Sequence, residues 1–218
     1  MNGRTIAIGD IHGFSAALDA LLGAVCPAAD DTLVLLGDYV DRGPDTRGVL
    51  RRMIELSGQC RLVPLLGNHD HLFVEICEGR DDLRGDWLLY GGDATVASYG
   101  RVPHDVPPEH LNLLRALPLY YETPTHFFVH ASYDPRLPLD QQPAPLALWQ
   151  SLRARLPGPH YSGKIAVVGH TAQKSGQVFD LGYLKCIDTW CYGDGWLTAL
   201  DVGSGQLWQA DKQGRLRT

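Results

Sequence analysis

The sequence predicts an α/β fold, and two observations carry that prediction. Five short apolar runs recur, and each breaks into glycine or polar residues. TIAI runs into GDIHG (Gly9–Gly13), LVLL into GDYVDRG (Gly37–Gly43) and LVPLL into GNHDH (Gly67–His71). HFFV runs into HAS (His130–Ser132), and KIAVV into GHT (Gly169–Thr171). Runs of this length and composition read as buried strands. The first three tips are also evenly spaced, with 28 residues from Asp10 to Asp38 and 30 from Asp38 to Asn68. Such intervals suit βαβ units, in which a crossover helix returns the chain to a neighbouring parallel strand. The C-terminal ends of those strands then share one edge, where open α/β sheets bind ligands.

Between the runs lie helical patterns. Ser15–Val25 has apolar residues at helical spacing, with Ser15 as its N-cap. Asp45–Leu56 follows Pro44 and reads the same way. From 79 to 124 the pattern is less regular: DLRGDWLLYGGDATVASYG reads as a loop and short helix, PPEHLNLLRAL as a helix. A further helix lies between the prolines of QQPAPLALWQSLRARLPGP. The tail, from Tyr183 to Ala210, reads as three strands with turns at YGDG and GSG. No repeat or linker interrupts the chain, so a single domain over 1–218 is expected.

Composition narrows the class. A chain of 218 residues with 44% apolar and 20% charged residues is that of a soluble globular protein. The net charge of −6 argues against nucleic-acid and anionic-membrane partners. Five cysteines without a C-x-x-C pair read as reduced thiols. The strand-like run beginning at Thr5 leaves no room for a signal peptide, and no apolar run is long enough to span a bilayer. The expected location is the cytoplasm.

The tips together offer Asp10, His12, Asp38, Asp41, Arg42, Asn68, His69, Asp70, His130 and His170. Carboxylate, imidazole and amide oxygen suit divalent metals such as manganese, iron or zinc. One ion takes about four to six donors, so this set favours two ions. Asp38, on the middle of the first three tips, is then the natural bridge. A pair of ions roughly 3.5–4 Å apart can grip a phosphoryl oxygen for in-line hydrolysis, and Arg42 adds a planar fork for phosphate. The simpler reading of Asp10, Asp38 and Asn68 is capping or turn formation, and of His130 and His170, packing. Five tips in series outweigh it. Asp70 reads as structural. Trp87, Tyr90, Tyr99, Trp190, Tyr192 and Trp196 read as core, with Trp190 and Tyr192 able to reach a cleft rim.

GDIHG, GDYVDRG, GNHD, HA and GHT, in that order, resemble the signature of the calcineurin-like metallophosphoesterases. The VDRG and GNHD forms are similar to the phosphoprotein phosphatase branch and its short bacterial members. The resemblance implies a four-layer α/β/β/α sandwich with mixed central sheets and the site at strand C-terminal ends. It implies two divalent ions, most commonly manganese, held by Asp10, His12, Asp38, Asn68, His130 and His170. His69 would be the general acid, oriented by Asp41, while Arg42 and Asn68 bind phosphate. A metal-bound hydroxide would attack directly, without a phosphoenzyme.

Three positions depart from the pattern. Leu66 stands where protein phosphatases of this branch carry an arginine, and Trp190 where many bacterial relatives carry glycine. A second phosphate-binding arginine has two candidates, Arg153 and Arg155. The implied activity is a phosphomonoesterase on phosphorylated Ser, Thr or Tyr of proteins, or on small phosphoesters. The alternatives are a symmetrical dinucleoside tetraphosphate hydrolase and a metal-stabilised binding module without catalysis.

Overall fold

The computed structural model describes residues 3–218. Strands β1 (Thr5–Ile8), β2 (Thr32–Leu35) and β3 (Arg61–Pro64) pair in parallel, joined by helices α1 (Ser15–Val25) and α2 (Thr46–Leu56). These are the βαβ units that the tip spacing implies. Helix α3 (Asn68–Cys77) opens at the third tip, followed by α4 (Arg84–Trp87), a wider π-type turn at Leu88–Gly92, α5 (Asp93–Tyr99) and α6 (Pro108–Arg115). The second sheet is built by β4 (Tyr120–Glu122), β5 (His126–Val129), β6 (Ile165–Val168), β7 (Phe179–Asp180) and β8 (Leu184–Cys186). Helix α7 (Ala144–Trp149) lies between β5 and β6 in the chain. The last strands, β9 (Leu197–Asp201) and β10 (Leu207–Ala210), return to the first sheet.

The sheet orders are β10-β9-β1-β2-β3 and β4-β5-β6-β8-β7. Each has three parallel strands at its centre or one side, with antiparallel additions. Side-chain alternation explains why the runs are apolar throughout. Ile6, Ile8, Leu33 and Leu35 pack with α1 and α2, whereas Ala7, Val34 and Leu36 face the other sheet. On the second sheet Phe128 and Val167 face inward, while Phe127, Val129, Ala166 and Val168 meet α7 and nearby loops. A strand buried on both faces has no polar positions to alternate. The result is α/β/β/α layering whose fourth layer is thin.

Four local expectations change. Ser15 does not cap α1: Phe14 occupies the N-cap position, and the Ser15 hydroxyl donates to Asp45 Oδ2 at 2.6 Å. Asp45 is the actual cap of α2, accepting from the Gly48 N–H at 2.9 Å. The segment expected to be partly loop is helical over most of 81–99, because Gly91 (φ 105°) turns the chain without ending it. Tyr90 is not core but 48% exposed. The three tail strands form as expected, but β8 joins the second sheet and β9 and β10 the first. The chain therefore crosses between sheets at 187–196. All five thiols are free, and among the described residues no helix is long and apolar enough to cross a membrane.

Candidate active site

The five tips converge at the C-terminal ends of β1, β2, β3, β5 and β6. Their backbones are bent to do so: His12, Asp38, Asp41, Arg42 and His170 all have positive φ, between 46° and 69°. Non-glycine residues reach that region at a cost of about 1–2 kcal/mol each, so the tips are held by their surroundings. Asp70 is one such brace. Its buried carboxylate accepts from the N–H groups of Asp38 (2.7 Å), Tyr39 (2.8 Å) and Gly67 (3.1 Å), tying the second tip to the third. Gly67 must lack a side chain, since a Cβ there would lie 2.2 Å from Asp38 Oδ1.

Asp38 lies at the centre, and its two oxygens face different clusters. Oδ2 is 3.6 Å from His12 Nε2, and Oδ1 is 3.5 Å from His130 Nε2. His12 donates its Nδ1 proton to Val40 O at 3.0 Å, and His130 its own to Leu36 O at 2.7 Å. Both Nε2 lone pairs therefore point inward. Burial, reinforced for His12 by the Arg42 charge, lowers both imidazoles below the usual histidine range and keeps them neutral. The Asn68 amide oxygen lies 3.0 Å from His130 Nε2 and 3.0 Å from His170 Nδ1. Burial and the His130 ring lower His170 to about 4.

These contacts test whether the residues suit a metal. His130 Nε2, Asn68 Oδ1 and Asp38 Oδ1 are three acceptors converging without a proton to share among them. Such a group repels itself unless a cation joins it. Ligand atoms of Asp38, His130 and His170 lie within 4.8 Å of one another, and so do those of His12, Asp38 and His69. The donor set fits two divalent cations that share Asp38. Burial pushes the Asp38 carboxyl up, but the charges that His130, His69, His12 and His170 carry when protonated outweigh it and hold it well below the usual carboxylate range.

Asp10 is buried beside these two sets. It lies outside both close sets, and its carboxylate accepts from the His170 N–H at 2.9 and 3.2 Å. Burial, followed by the charges of Asp188 and Asp38, pushes its carboxyl well above the usual range. Asp188 is a site residue that sequence reasoning missed. It is buried after β8, accepts from the Trp190 N–H at 3.0 Å, and is pushed up to about 6, chiefly by burial. The signal was available, because KCI-D is a sixth apolar run ending in an acid.

Asp41 and His69 form a pair. His69 Nδ1 and Asp41 Oδ2 are 2.8 Å apart, and both residues are buried. Asp41 also accepts from Trp87 Nε1 at 3.0 and 3.1 Å and from Thr95 Oγ1 at 2.7 Å. Trp87, expected only as core, is thus a hydrogen-bond donor to the site as well. His69 Nε2 faces the cleft, 2.9 Å from Arg42 Nη2, while Arg42 Nη1 lies 2.7 Å from His12 Nε2. Of the two further arginines, Arg153 bonds the Ala172 carbonyl beside the fifth tip. Arg155 instead lines a separate cavity of about 90 Å³ with Ser132, Asp134 and Gly158.

A family model described as calcineurin-like phosphoesterase matches residues 3–194. Among curated proteins, a symmetrical bis(5'-nucleosyl)-tetraphosphatase of Janthinobacterium sp. (strain Marseille) is 35% identical over 161 residues, covering 72% of this chain and 53% of that protein. An uncharacterized protein of Schizosaccharomyces pombe is 43% identical over 109 residues, covering 43% of this chain and 30% of its own length. The chain thus spans about half, or less, of the length of these relatives. Among solved structures, one provisionally assigned as a diadenosine tetraphosphatase aligns with a TM-score of 0.73 at 25% identity, covering 96% of this chain and 94% of that one. A cold-active protein tyrosine phosphatase aligns with a TM-score of 0.69 at 19% identity, covering 100% and 79%, a likeness of fold.

Proposed function

The chain belongs to the calcineurin-like phosphoesterase family, and from that premise we propose that it is a two-metal phosphomonoesterase acting on phosphorylated serine or threonine, with phosphotyrosine a further substrate. The observation that carries this reading is the buried His69–Asp41 pair with its Trp87 and Thr95 supports. A serine or threonine alkoxide is strongly basic and leaves readily only when it receives a proton. A nucleoside diphosphate is a weakly basic leaving group and needs that help far less. General acid catalysis contributes about 10²–10⁴-fold, so a held and oriented imidazole is most useful where the leaving group is poor.

Asp10, His12, Asp38, Asn68, His130 and His170 would hold the ions, and their mixed donors suit manganese, with iron or zinc as alternatives. Two such cations supply Lewis acidity toward a phosphoryl oxygen and acidify the attacking water. The chain's own residues do the rest. Arg42 and Asn68 bind the phosphate oxygens, Arg42 through its planar fork. His69 delivers a proton from Nε2 to the leaving oxygen, while Asp41 holds Nδ1 and so fixes the ring. Five free thiols suit the reducing cytoplasm.

A second reading, symmetrical hydrolysis of dinucleoside tetraphosphates, is supported by the named tetraphosphatase relative. Leu66 supports it too, being packed against the core just before the GNHD tip. The two readings separate on substrates. With Mn²⁺ loaded, kcat/KM for phosphoserine and phosphothreonine peptides should exceed that for diadenosine tetraphosphate, and chelation should abolish both activities. Faster cleavage of the dinucleotide would transfer the conclusion to the second reading.

A further inference from the structure

Among the described residues, Arg42 is a cation at the site without a carboxylate partner. Asp41 and Asp45 lie close in sequence, yet Asp41 bonds His69, Trp87 and Thr95, and Asp45 caps α2. The guanidinium instead touches two imidazole nitrogens, and its Cζ lies 4.1 Å from the centroid of the Tyr192 ring. The Tyr192 ring also meets His12 edge-on at 5.2 Å and Trp190 edge-on at 6.3 Å. Trp190 is held at φ 69° by its N–H to Asp188. Tyr192 thus reaches Arg42 from the chain crossing between the sheets, braced by its neighbours.

We propose that Tyr192 is a positioning residue for phosphate: by stacking on Arg42 it fixes the guanidinium plane without neutralising it. The inference rests on the phosphoesterase reading above. A carboxylate would orient the fork equally well, but it would occupy the N–H groups and compete with a phosphate for the charge. An aromatic face holds the cation from above and itself occupies none of the in-plane donors.

Calorimetric titration of inorganic phosphate into the Mn²⁺-loaded protein tests this, with metal content and melting temperature measured alongside. Tyr192→Leu should weaken phosphate binding between about three- and thirty-fold at unchanged metal content. Tyr192→Phe, which keeps the ring, should restore affinity to within about twofold of the parent. Arg42→Ala should weaken binding at least as much, and adding Tyr192→Leu to it should change nothing further. Loss of metal in Tyr192→Leu, an equal loss in the Arg42→Ala background, or parent-like affinity would each overturn the proposal alone. A parent that neither binds phosphate nor hydrolyses any phosphoester would overturn the phosphoesterase reading with it.

Discussion

At the scale of single residues, the His69–Asp41 pair, proposed as the acid, shows how its neighbours outweigh burial. Burial lowers the His69 imidazole, but the Asp38 charge and the hydrogen bond to Asp41 outweigh it, so its pKa stands above the usual histidine value. A raised pKa means that the protonated acid persists to higher pH, and turnover of an alkyl phosphomonoester falls as pH rises through it. Asp41→Asn removes the orienting charge, so the alkaline limb of the pH–kcat profile should move to lower pH while kcat drops. Trp87→Phe keeps the ring but deletes the indole donor to a buried carboxylate. It should cost about 1–3 kcal/mol in urea denaturation and lower kcat with no change in metal content. Asp41, His69 and Arg42 could be singled out in sequence, because they sit in the strand tips whose order resembles the family signature. Trp87 and Thr95 could not, since their distance of 46 and 54 residues from Asp41 leaves no local pattern.

At the scale of elements, the βαβ half was readable because both faces of its strands are buried and its connections are short. The three tail strands were readable as well, but not the sheet each joins, because a strand's own pattern does not say which of two sheets it joins. The 81–99 segment was misjudged for a related reason: Gly91–Gly92 looks like a break, yet Gly91 is a contact. Its φ of 105° and its carbonyl, which accepts from the Arg42 N–H at 2.9 Å, set the approach of Arg42, the third residue of VDRG, to the cleft. A Cβ at Gly91 would lie 2.8 Å from Arg42 Cγ and 3.0 Å from its nitrogen. Gly91→Ala should therefore destabilise the protein by about 1 kcal/mol or more and raise KM. Gly85, inside α4, has nothing within 4 Å of such a Cβ. Gly85→Ala should leave KM alone and be neutral or stabilising by up to about 1 kcal/mol. Equal behaviour of the two variants in a paired denaturation and kinetics experiment would refute this account of the segment.

At the scale of the whole molecule, two sheets bring three buried carboxylates, Asp10, Asp38 and Asp188, to one place. Chiefly through burial, the folded state raises Asp188 to about 6, so it holds that proton more tightly than the unfolded chain does. The metal-free protein therefore loses stability from this group as pH rises from about 4 through about 6. Asp188→Asn should stabilise the chelator-treated protein above about pH 7 by on the order of 2–3 kcal/mol, with the gain vanishing near pH 4. Urea midpoints across that range read this directly, and a gain that persists at the acid end would contradict the electrostatic cause. The central claim, that the cleft is a phosphomonoesterase built for poor leaving groups, is tested most directly by leaving-group dependence. The measurement is kcat/KM of the Mn²⁺-loaded parent and of His69→Asn across phosphomonoesters of graded leaving-group basicity. The parent should vary little along the series. His69→Asn should lose about 10²–10⁴-fold on serine-type alkyl esters and far less on p-nitrophenyl phosphate, whereas a uniform loss, or none, would contradict the account.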